Sequence, residues 1–307
     1  MKAIRINGYN ATPALEDVEK PAPGPGEVLV RVKAAALNPL DVKLQRGYMD
    51  QFFPLQFPYT QGTDLAGEIE QVGPDVQGWA PGDKIVGRTD PTAGGAFAEY
   101  AVVPVSHLTK APSTIAIEDA AGIPTAAGTA WQALFESARL ADGQSILIHA
   151  GAGGVGSFAI QFARNAGARV FATASGDGVE IARQLGADKV IDYRSEDFTR
   201  AVSDVDIVLD TIGGETEQRS YQVLRVGGQL LATALPPDDA LAKAHNVSAG
   251  FVFHASDAER LRRVVEEIDQ RGVKVLLDGK QSLGDFAEAF EHQASGRARG
   301  KIIVVID

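Results

Sequence analysis

Residues 145–163 read SILIHAGAGGVGSFAIQFA, and this stretch decides the fold. Its apolar run at 146–148 is too short for a helix and is followed at once by a glycine-rich turn, as at the end of a buried parallel strand. Gly151, Gly153 and Gly156 fit the pattern G-x-G-x-x-G. In that pattern the glycines permit a tight turn, a close approach of backbone to a pyrophosphate, and close packing of helix on strand. The stretch predicts a strand, a turn and a helix that bind a dinucleotide; a glycine turn that binds nothing is the alternative.

The same turn offers hydrogen-bond donors. After Ala152, the N–H groups of Gly154, Val155 and Gly156 are expected to face the phosphates, with the positive end of the helix dipole behind them. A second apolar strand follows at 169–173, as a dinucleotide-binding unit requires.

The composition narrows the class of protein. The chain has 307 residues, 45% hydrophobic and 22% charged, which suits two globular domains. It contains no cysteine, so disulfides and thiolate ligands are excluded. The net charge of −11 argues against nucleic acid as a partner. Because no signal-like start and no membrane-length apolar run is seen, we expect a cytoplasmic protein without a membrane partner.

Two kinds of pattern divide the chain. Residues 1–117 predict short strands between proline and glycine turns, with a short helix beginning at Asn38-Pro39. Residues 118–253 alternate between helix and strand, which predicts an α/β fold with a doubly wound parallel sheet. Its six strands are expected near 146–149, 169–174, 189–192, 206–211, 228–233 and 249–253. An amphipathic helix follows at 256–270, and the apolar strand 301–306 is assigned to the first domain, which thus comprises 1–117 and 254–307.

Several motifs in this order resemble a known family. They are ALNPLD at 36–41, GTDLAG at 62–67, GDKIV at 82–86, HAGAGGVG at 149–156, LGAD at 185–188 and GKIIV at 300–304. The chain resembles the medium-chain dehydrogenase/reductase superfamily, and within it the zinc-free, zeta-crystallin-like quinone oxidoreductases. The resemblance implies a GroES-like irregular β-barrel catalytic domain, a Rossmann domain and a homodimer. The predicted edge strand at 249–253 is a candidate for pairing between two subunits.

The zinc ligands of the superfamily's alcohol dehydrogenases are not in this sequence. The Asn38 loop stands at the first ligand position, and Gly62-Thr63-Asp64 stands where the family has Gly-His-Glu. The five histidines, at 107, 149, 245, 254 and 292, lack ligand spacing, so we predict no metal site. Without a Lewis acid, reduction of a conjugated carbonyl is favoured over alcohol oxidation, because conjugation spreads the negative charge.

The end of the second predicted strand bears on the cofactor. It reads Thr173-Ala174-Ser175-Gly176, without the Asp or Glu that usually holds the ribose of NAD. The resemblance implies NADPH, and Tyr193 and Arg194 match a pair that lies beside the 2′-phosphate in related reductases. Relatives often carry a lysine where this chain has Gly176, and the Asp177 that follows would repel a phosphate. We therefore predict NADPH, with NADH as the alternative.

The resemblance also implies residues for the rest of the site. Asn38 matches an asparagine that contacts the nicotinamide ribose or substrate, with a helix cap as the alternative. Thr125 and Thr129 match nicotinamide contacts, or else serve helix packing. Tyr48 lies in the loop that lines the substrate cleft of relatives, unless it is only a surface tyrosine.

Further candidates follow from position. Phe52, Phe53 and Phe57 are expected to form an apolar wall for the substrate, or simply to anchor a loop. Strand ends at the carboxyl edge of the sheet are where ligands bind. The candidates for cofactor binding at these ends are Asp210, Thr211 and Gly213 after the fourth predicted strand, Leu231 and Thr233 at the fifth, and Phe251 and Phe253 at the sixth.

Three functions remain open from the sequence. The first is NADPH-dependent reduction of quinones by hydride transfer, with Asn38, Tyr48 and Thr129 as catalytic candidates. The second is reduction of alkenals or enones on the same scaffold, because the Asn-Pro-Leu-Asp loop is also like that of alkenal reductases. The third is a non-enzymatic NADPH-binding redox sensor or nucleic-acid-binding relative.

Overall fold

The computed structural model describes residues 1–306, which form two compact units. Unit 1 comprises Met1–Thr125 and the described residues from Ser256 onward, and unit 2 comprises Ala126–Ala255. The sequence placed the first boundary at 117/118. Unit 1 reaches further because the short helix Ile117–Ala120 packs on its strands and Thr125 hydrogen-bonds to Asp64. The second boundary lies at 255/256 instead of 253/254.

The strands and helices follow one another along the chain. In order they are β1 (Lys2–Ile6), β2 (Ala14–Asp17), β3 (Glu27–Leu37), α1 (Pro39–Gln45), β4 (Tyr59–Thr60), β5 (Asp64–Val72), β6 (Lys84–Arg88), β7 (Tyr100–Pro104), β8 (Leu108–Lys110), α2 (Ile117–Ala120), α3 (Pro124–Trp131), β9 (Ser145–Ile148), α4 (Gly154–Asn165), β10 (Arg169–Ala174), α5 (Asp177–Leu185), β11 (Lys189–Asp192), α6 (Phe198–Ala201), β12 (Val205–Asp210), α7 (Glu215–Ser220), β13 (Leu224–Ala232), α8 (Asp239–Ala244), β14 (Ser248–Phe251), α9 (Ala258–Arg271), β15 (Leu277–Ser282), α10 (Phe286–Ala294) and β16 (Lys301–Val305).

Unit 2 contains the parallel sheet that the sequence predicts. Its strand order is β11-β10-β9-β12-β13-β14, and every pair is parallel. Ile148 lies beside Ala172 on one side and Leu209 on the other, so these strands end together. The six predicted strands and the doubly wound α/β class are confirmed, and the strand ends differ by only a few residues. The carboxyl ends therefore form one continuous edge for a ligand.

The core of unit 2 explains why its strands are almost wholly apolar. Leu147, Val208 and Leu230 are completely buried, because helices cover both faces of a parallel sheet. Helix α4 packs on β9 and β10 directly after the glycine turn. Each such side chain stabilises the fold by about 1.5–3 kcal/mol through the area it removes from water. The glycine turn is thus attached to the buried core of the unit.

Unit 1 is built on a sheet with the order β15-β16-β3-β5-β6-β8, to which β7 is added by pairing with β3. A smaller antiparallel sheet has the order β2-β1-β4. The last strand returns to this unit as predicted, because β16 pairs with β3 and Ile302 lies opposite Leu37. Phe97 and Phe286 pack edge to face in its core, 4.8 Å apart. None of the helices in the described part of the chain has the length and apolar character needed to cross a membrane.

Candidate functional site

The glycine turn of unit 2 joins β9 to α4 in a tightly packed arrangement. Gly151 N donates to Thr173 O at 2.8 Å, which fixes the turn to β10. A Cβ atom on Gly156 would lie 2.2 Å from Ala150 O, so only glycine fits there. At Gly153 the nearest atom to an added Cβ is 3.2 Å away, and the residue is only half-buried. Gly156 thus allows the close packing of helix on strand that the motif predicts, and Gly153 has the more open surroundings of the two.

The first turn of α4 begins with backbone amides at the positive end of the helix dipole. Its first backbone hydrogen bond runs from Ser157 N to Gly153 O. The amides of Gly154, Val155 and Gly156 precede that bond and, like those of any first helical turn, lack an intrahelical acceptor. The helix runs twelve residues behind them, with its positive dipole end at the turn. A glycine-rich turn followed by a helix N-terminus is the kind of arrangement that suits a pyrophosphate.

His149, at the end of β9, supports the turn from inside. Ser220 Oγ donates to Thr216 O and lies 2.9 Å from His149 Nε2, so the histidine carries its proton on Nε2. His149 Nδ1 then accepts from Thr173 Oγ1 at 3.0 Å. Burial lowers the pKa of His149 to about 4, which keeps the ring neutral at physiological pH. Thr173, a predicted cofactor contact, is itself buried in this network.

The end of β10 is exposed and polar. Ser175 Oγ donates to Tyr193 Oη at 2.9 Å, and Tyr193 is 58% exposed. Gly176 has a φ of +55°, and Asp177 begins α5 after it. Arg194 is exposed beside Tyr193. The structure thus brings Ser175 and Tyr193 together, and Arg194, the next residue along the chain, is exposed as well.

The end of β12 is a closed turn. Asp210 is completely buried and accepts hydrogen bonds from Ile212 N and Gly213 N. Burial raises the pKa of Asp210, against the lowering effect of those amides. Thr211 Oγ1 donates to His149 O at 3.0 Å. These two predicted cofactor residues therefore also hold the edge of the sheet in shape.

The remaining candidates in unit 2 differ in exposure. Leu231 is buried in β13, and Thr233 N donates to Asp210 O at 2.9 Å. Phe251 and Phe253 are both partly exposed, with ring centroids 6.2 Å apart. Thr129 is buried on α3.

Unit 1 contains a buried cluster of polar groups around Asn38. Asn38 is at the N-cap of α1, and its backbone N–H donates to Asp41 Oδ2 at 2.7 Å. Its side-chain Oδ1 accepts from Lys301 Nζ at 2.5 Å. Burial raises the pKa of Asp41 to about 7, although the hydrogen bond from Asn38 opposes this. Asp41 Oδ1 is buried and has no hydrogen-bond partner within residues 1–306.

Asp64 forms the other half of this cluster. Its carboxylate accepts from Thr125 N at 3.0 Å and from Thr125 Oγ1 at 2.6 Å. Arg88, opposite it on β6, is an ion partner at 3.8 Å and also donates to Ser256 Oγ. Burial lowers the pKa of Arg88, and the nearby carboxylates oppose that effect. Thr125, predicted as a nicotinamide contact, therefore uses its hydroxyl on Asp64.

Aromatic side chains gather in the segment after α1. Tyr48 is 71% exposed and Phe52 is 63% exposed. Phe57 packs edge to face on Tyr9, with ring centroids 4.9 Å apart, and Tyr9 Oη hydrogen-bonds to Asp50. Phe53 is half-buried. Phe57 thus anchors the segment, while Tyr48 and Phe52 present exposed rings.

Comparisons with known proteins agree with this geometry. The family Alcohol dehydrogenase GroES-like domain matches residues 24–113, and the family Zinc-binding dehydrogenase matches residues 185–304. A chloroplastic quinone-oxidoreductase, QR1 of Triphysaria versicolor, is 32% identical over 99% of this chain and 98% of its own length. This chain belongs to the quinone oxidoreductases of the medium-chain dehydrogenase/reductase superfamily.

Two further proteins are similar to this quinone oxidoreductase. A 2-methylene-furan-3-one reductase from Solanum lycopersicum is 32% identical over 99% of this chain and 79% of its own length. A mycobacterial protein solved in complex with NADPH superposes with a TM-score of 0.88 at 27% identity, covering 99% of this chain and 100% of that one. The predicted resemblance, fold and enzyme class are confirmed: the chain is an NAD(P)H-dependent oxidoreductase.

Zinc, which one matching family name implies, does not fit the residues of this quinone oxidoreductase. The sequence has no cysteine. Within residues 1–306, no group of three or more His, Cys, Asp and Glu side chains could hold a metal ion. Asp41 and Asp64 are instead accompanied by Lys301 and Arg88, whose positive charges disfavour a cation at the same place.

The buried charges were the main omission of the sequence analysis. From the sequence, Lys301 was assigned only to a strand and Arg88 was not singled out, yet they contact Asn38 and Asp64. The available signal was a charged residue in an otherwise apolar strand, since Lys301 is followed by 302–304, Ile-Ile-Val. A charged side chain that is buried in an apolar strand requires a polar or charged partner, and that partner is a candidate site residue.

Proposed function

We propose that this chain reduces quinones with NADPH by hydride transfer and without a metal ion. The observation that carries the proposal is the glycine turn, whose amides at the start of α4 lack intrahelical acceptors, beside a β10 end that has hydroxyl groups in place of a carboxylate. The named activity of the Triphysaria relative supports the choice of acceptor. NADPH in the mycobacterial relative supports the choice of cofactor.

The residues of unit 2 would hold the cofactor at two points, its pyrophosphate and its 2′-phosphate. The amides of 154–156 bind the pyrophosphate, and the absence of a side chain at Gly153 lets it approach. Ser175, Tyr193 and Arg194 bind the 2′-phosphate, for which Arg194 supplies the positive charge. The bound cofactor supplies the hydride.

Asn38 would act on the acceptor. Its side-chain N–H groups donate to a carbonyl oxygen on which negative charge develops during reduction, and burial strengthens such a hydrogen bond. The reduced oxygen then takes a proton from solvent. Tyr48 and Phe52 offer exposed rings that a flat acceptor can stack on. Because the negative charge on a conjugated carbonyl is delocalised, hydrogen bonds to its oxygen are sufficient and a metal ion is not required.

A second acceptor class has its own support. The Solanum lycopersicum relative is named as a reductase of a furanone, which is an enone. The same Asn38 amide would stabilise the enolate formed when a hydride adds to the β-carbon.

Oxidation of NADPH, followed by its absorbance, separates the candidates. The assay uses 1,2-quinones, 1,4-quinones and short enals as acceptors, each with NADPH and with NADH. Faster turnover of quinones with NADPH supports the proposal, and faster turnover of enals supports the second class. Tight NADPH binding without turnover of any acceptor would favour the non-enzymatic binding protein.

The exposed edge of β14 suggests that the chain forms a homodimer. Strand β14 pairs with β13 alone among the strands of residues 1–306. An unpaired strand edge pairs readily with a second copy of itself. We infer that two copies join their sheets along β14.

A further inference from the structure

Lys301, the first residue of β16, places its ammonium group on the loop that begins α1. Lys301 Nζ donates to Leu37 O at 2.7 Å and to Asn38 Oδ1 at 2.5 Å. The strand register explains the contact. Strand β16 pairs antiparallel with β3 and Ile302 lies opposite Leu37, so the residue before Ile302 meets the residue after Leu37.

The burial of this lysine calls for a reason beyond the sheet. Lys301 is 3% exposed and Asn38 is 2% exposed. Burial lowers the pKa of Lys301, while Asp64 and Asp41 raise it by favouring the ammonium. Removing an ammonium from water is unfavourable, and apolar residues in place of a buried charge often give equal stability. The next three residues of β16 are apolar, so the strand itself does not need a charge.

Lys301 determines which end of the Asn38 amide is available. An ammonium group can only donate hydrogen bonds, so Lys301 binds the oxygen of the Asn38 amide. The amide nitrogen then points away from Lys301. One N–H of Nδ2 donates to Ala36 O at 3.3 Å, and a primary amide has a second N–H, which is the donor that a ligand would use. The backbone of Asn38 is held separately by Asp41. A cation on the amide oxygen also polarises the amide and strengthens its N–H groups as donors.

We propose that Lys301 is the positioning residue for Asn38: it fixes the amide with its nitrogen toward the substrate oxygen and polarises that nitrogen. The inference rests on the proposed function in one respect, namely that Asn38 contacts the reacting carbonyl. The effect of Lys301 is greatest when negative charge develops on the substrate oxygen, so Lys301 affects kcat more than cofactor binding.

A double-mutant cycle tests whether Lys301 acts through Asn38. The variants are K301M, N38A and the double variant, with K84M as a control at an exposed lysine on β6. We expect N38A to lower kcat by about a hundredfold and K301M by about tenfold, with the NADPH Kd within about twofold of wild type. The kcat of the double variant should be no lower than that of N38A alone, because the two residues act as one unit. Losses that multiply, or a K301M variant with wild-type kcat, would overturn the inference.

Two further variants keep the test decisive. K301R retains charge and donors and should recover most of kcat. K301Q retains a hydrogen-bond donor without the charge. A kcat between those of K301M and wild type would separate the orientation of the Asn38 amide from its polarisation by the charge. If K301M does not fold, K301Q replaces it in the cycle, and a K301Q variant with wild-type kcat would equally refute the role.

A readout without turnover separates this inference from the proposed function. In ¹⁵N NMR spectra the side-chain amide of Asn38 is assigned by its disappearance in N38A. Its two proton shifts should move in K301M and K301Q and stay unchanged in K84M. Unchanged shifts in all three variants would refute the contact. If wild type reduces no acceptor while the shifts move, the proposed function fails and the positioning of Asn38 stands.

Discussion

Gly156 lies against the carbonyl oxygen of Ala150, where an added Cβ atom would come within 2.2 Å of that oxygen. The oxygen belongs to the backbone and the position of a Cβ atom is fixed by the backbone, so neither can turn aside. The missing side chain lets the first turn of α4 lie close to the end of β9, and this packing sets the position of the amides proposed to bind phosphate.

We expect Gly156→Ala to disturb the fold and the cofactor site together. The overpacked turn should lower the free energy of unfolding by about 1–3 kcal/mol, and NADPH affinity should fall at least about tenfold. Gly153→Ala, with its nearest contact at 3.2 Å, should lose less stability than Gly156→Ala while also losing NADPH affinity. Gly279→Ala, where nothing lies within 4 Å, is the control for the substitution itself. Thermal unfolding and NADPH fluorescence titration measure both effects, and equal NADPH affinity in all three variants would contradict the assigned site.

The buried His149 predicts a loss of stability in mild acid. Burial lowers the pKa of His149 to about 4 in the folded chain, below the ordinary value of about 6.5 in the unfolded chain. Between these two values the unfolded state binds more protons, so stability is complete above pH about 6.5 and falls as the pH drops toward 4. The contribution is on the order of 3 kcal/mol.

Urea unfolding at a series of pH values measures this contribution. His149→Asn should be less stable than wild type at neutral pH, because hydrogen bonds to Thr173 and Ser220 are altered. It should also show a shallower fall between pH 6.5 and 4. An identical pH profile in the variant would show that another group is responsible.

Arg194 should matter for NADPH and not for NADH. If it faces the 2′-phosphate, Arg194→Ala should raise the Kd of NADPH by about tenfold and leave that of NADH within about twofold, because NADH lacks this phosphate. Arg200→Ala, at another exposed arginine of the same unit, is the matched control. Parallel losses for both cofactors in Arg194→Ala would place the 2′-phosphate elsewhere.

The dimer can be tested at a single backbone position. Val252 N donates to Ala232 O, so by the alternation of a parallel strand Gly250 N also faces β13, whereas Ala249 N faces the open edge. Ala249→Pro should therefore remove an edge donor without breaking the pairing with β13. Sedimentation should show a dimer for wild type and a larger monomer fraction for this variant. Monomeric wild type at micromolar concentration would contradict the dimer.

The sequence predicts the elements whose signals are local. The glycine turn, the strand at 145–148 and the helix after it follow from spacing within twenty residues, and the helix at Asn38-Pro39 follows from a proline at its first position. The contacts of Lys301 with Asn38, and of Thr125 with Asp64, join residues far apart in the chain. They depend on strand register and on the path of a loop, neither of which a single sequence specifies. The resemblance supplied Asn38 as a candidate, and only the folded chain shows what holds it.

The most direct test of the account is the rate of NADPH oxidation with a 1,4-quinone after the protein has been treated with a strong metal chelator. The account predicts saturable turnover that is unchanged by the chelator and slower with NADH. Turnover that disappears after chelation and returns with added zinc would contradict it, and so would a chain that binds neither pyridine nucleotide.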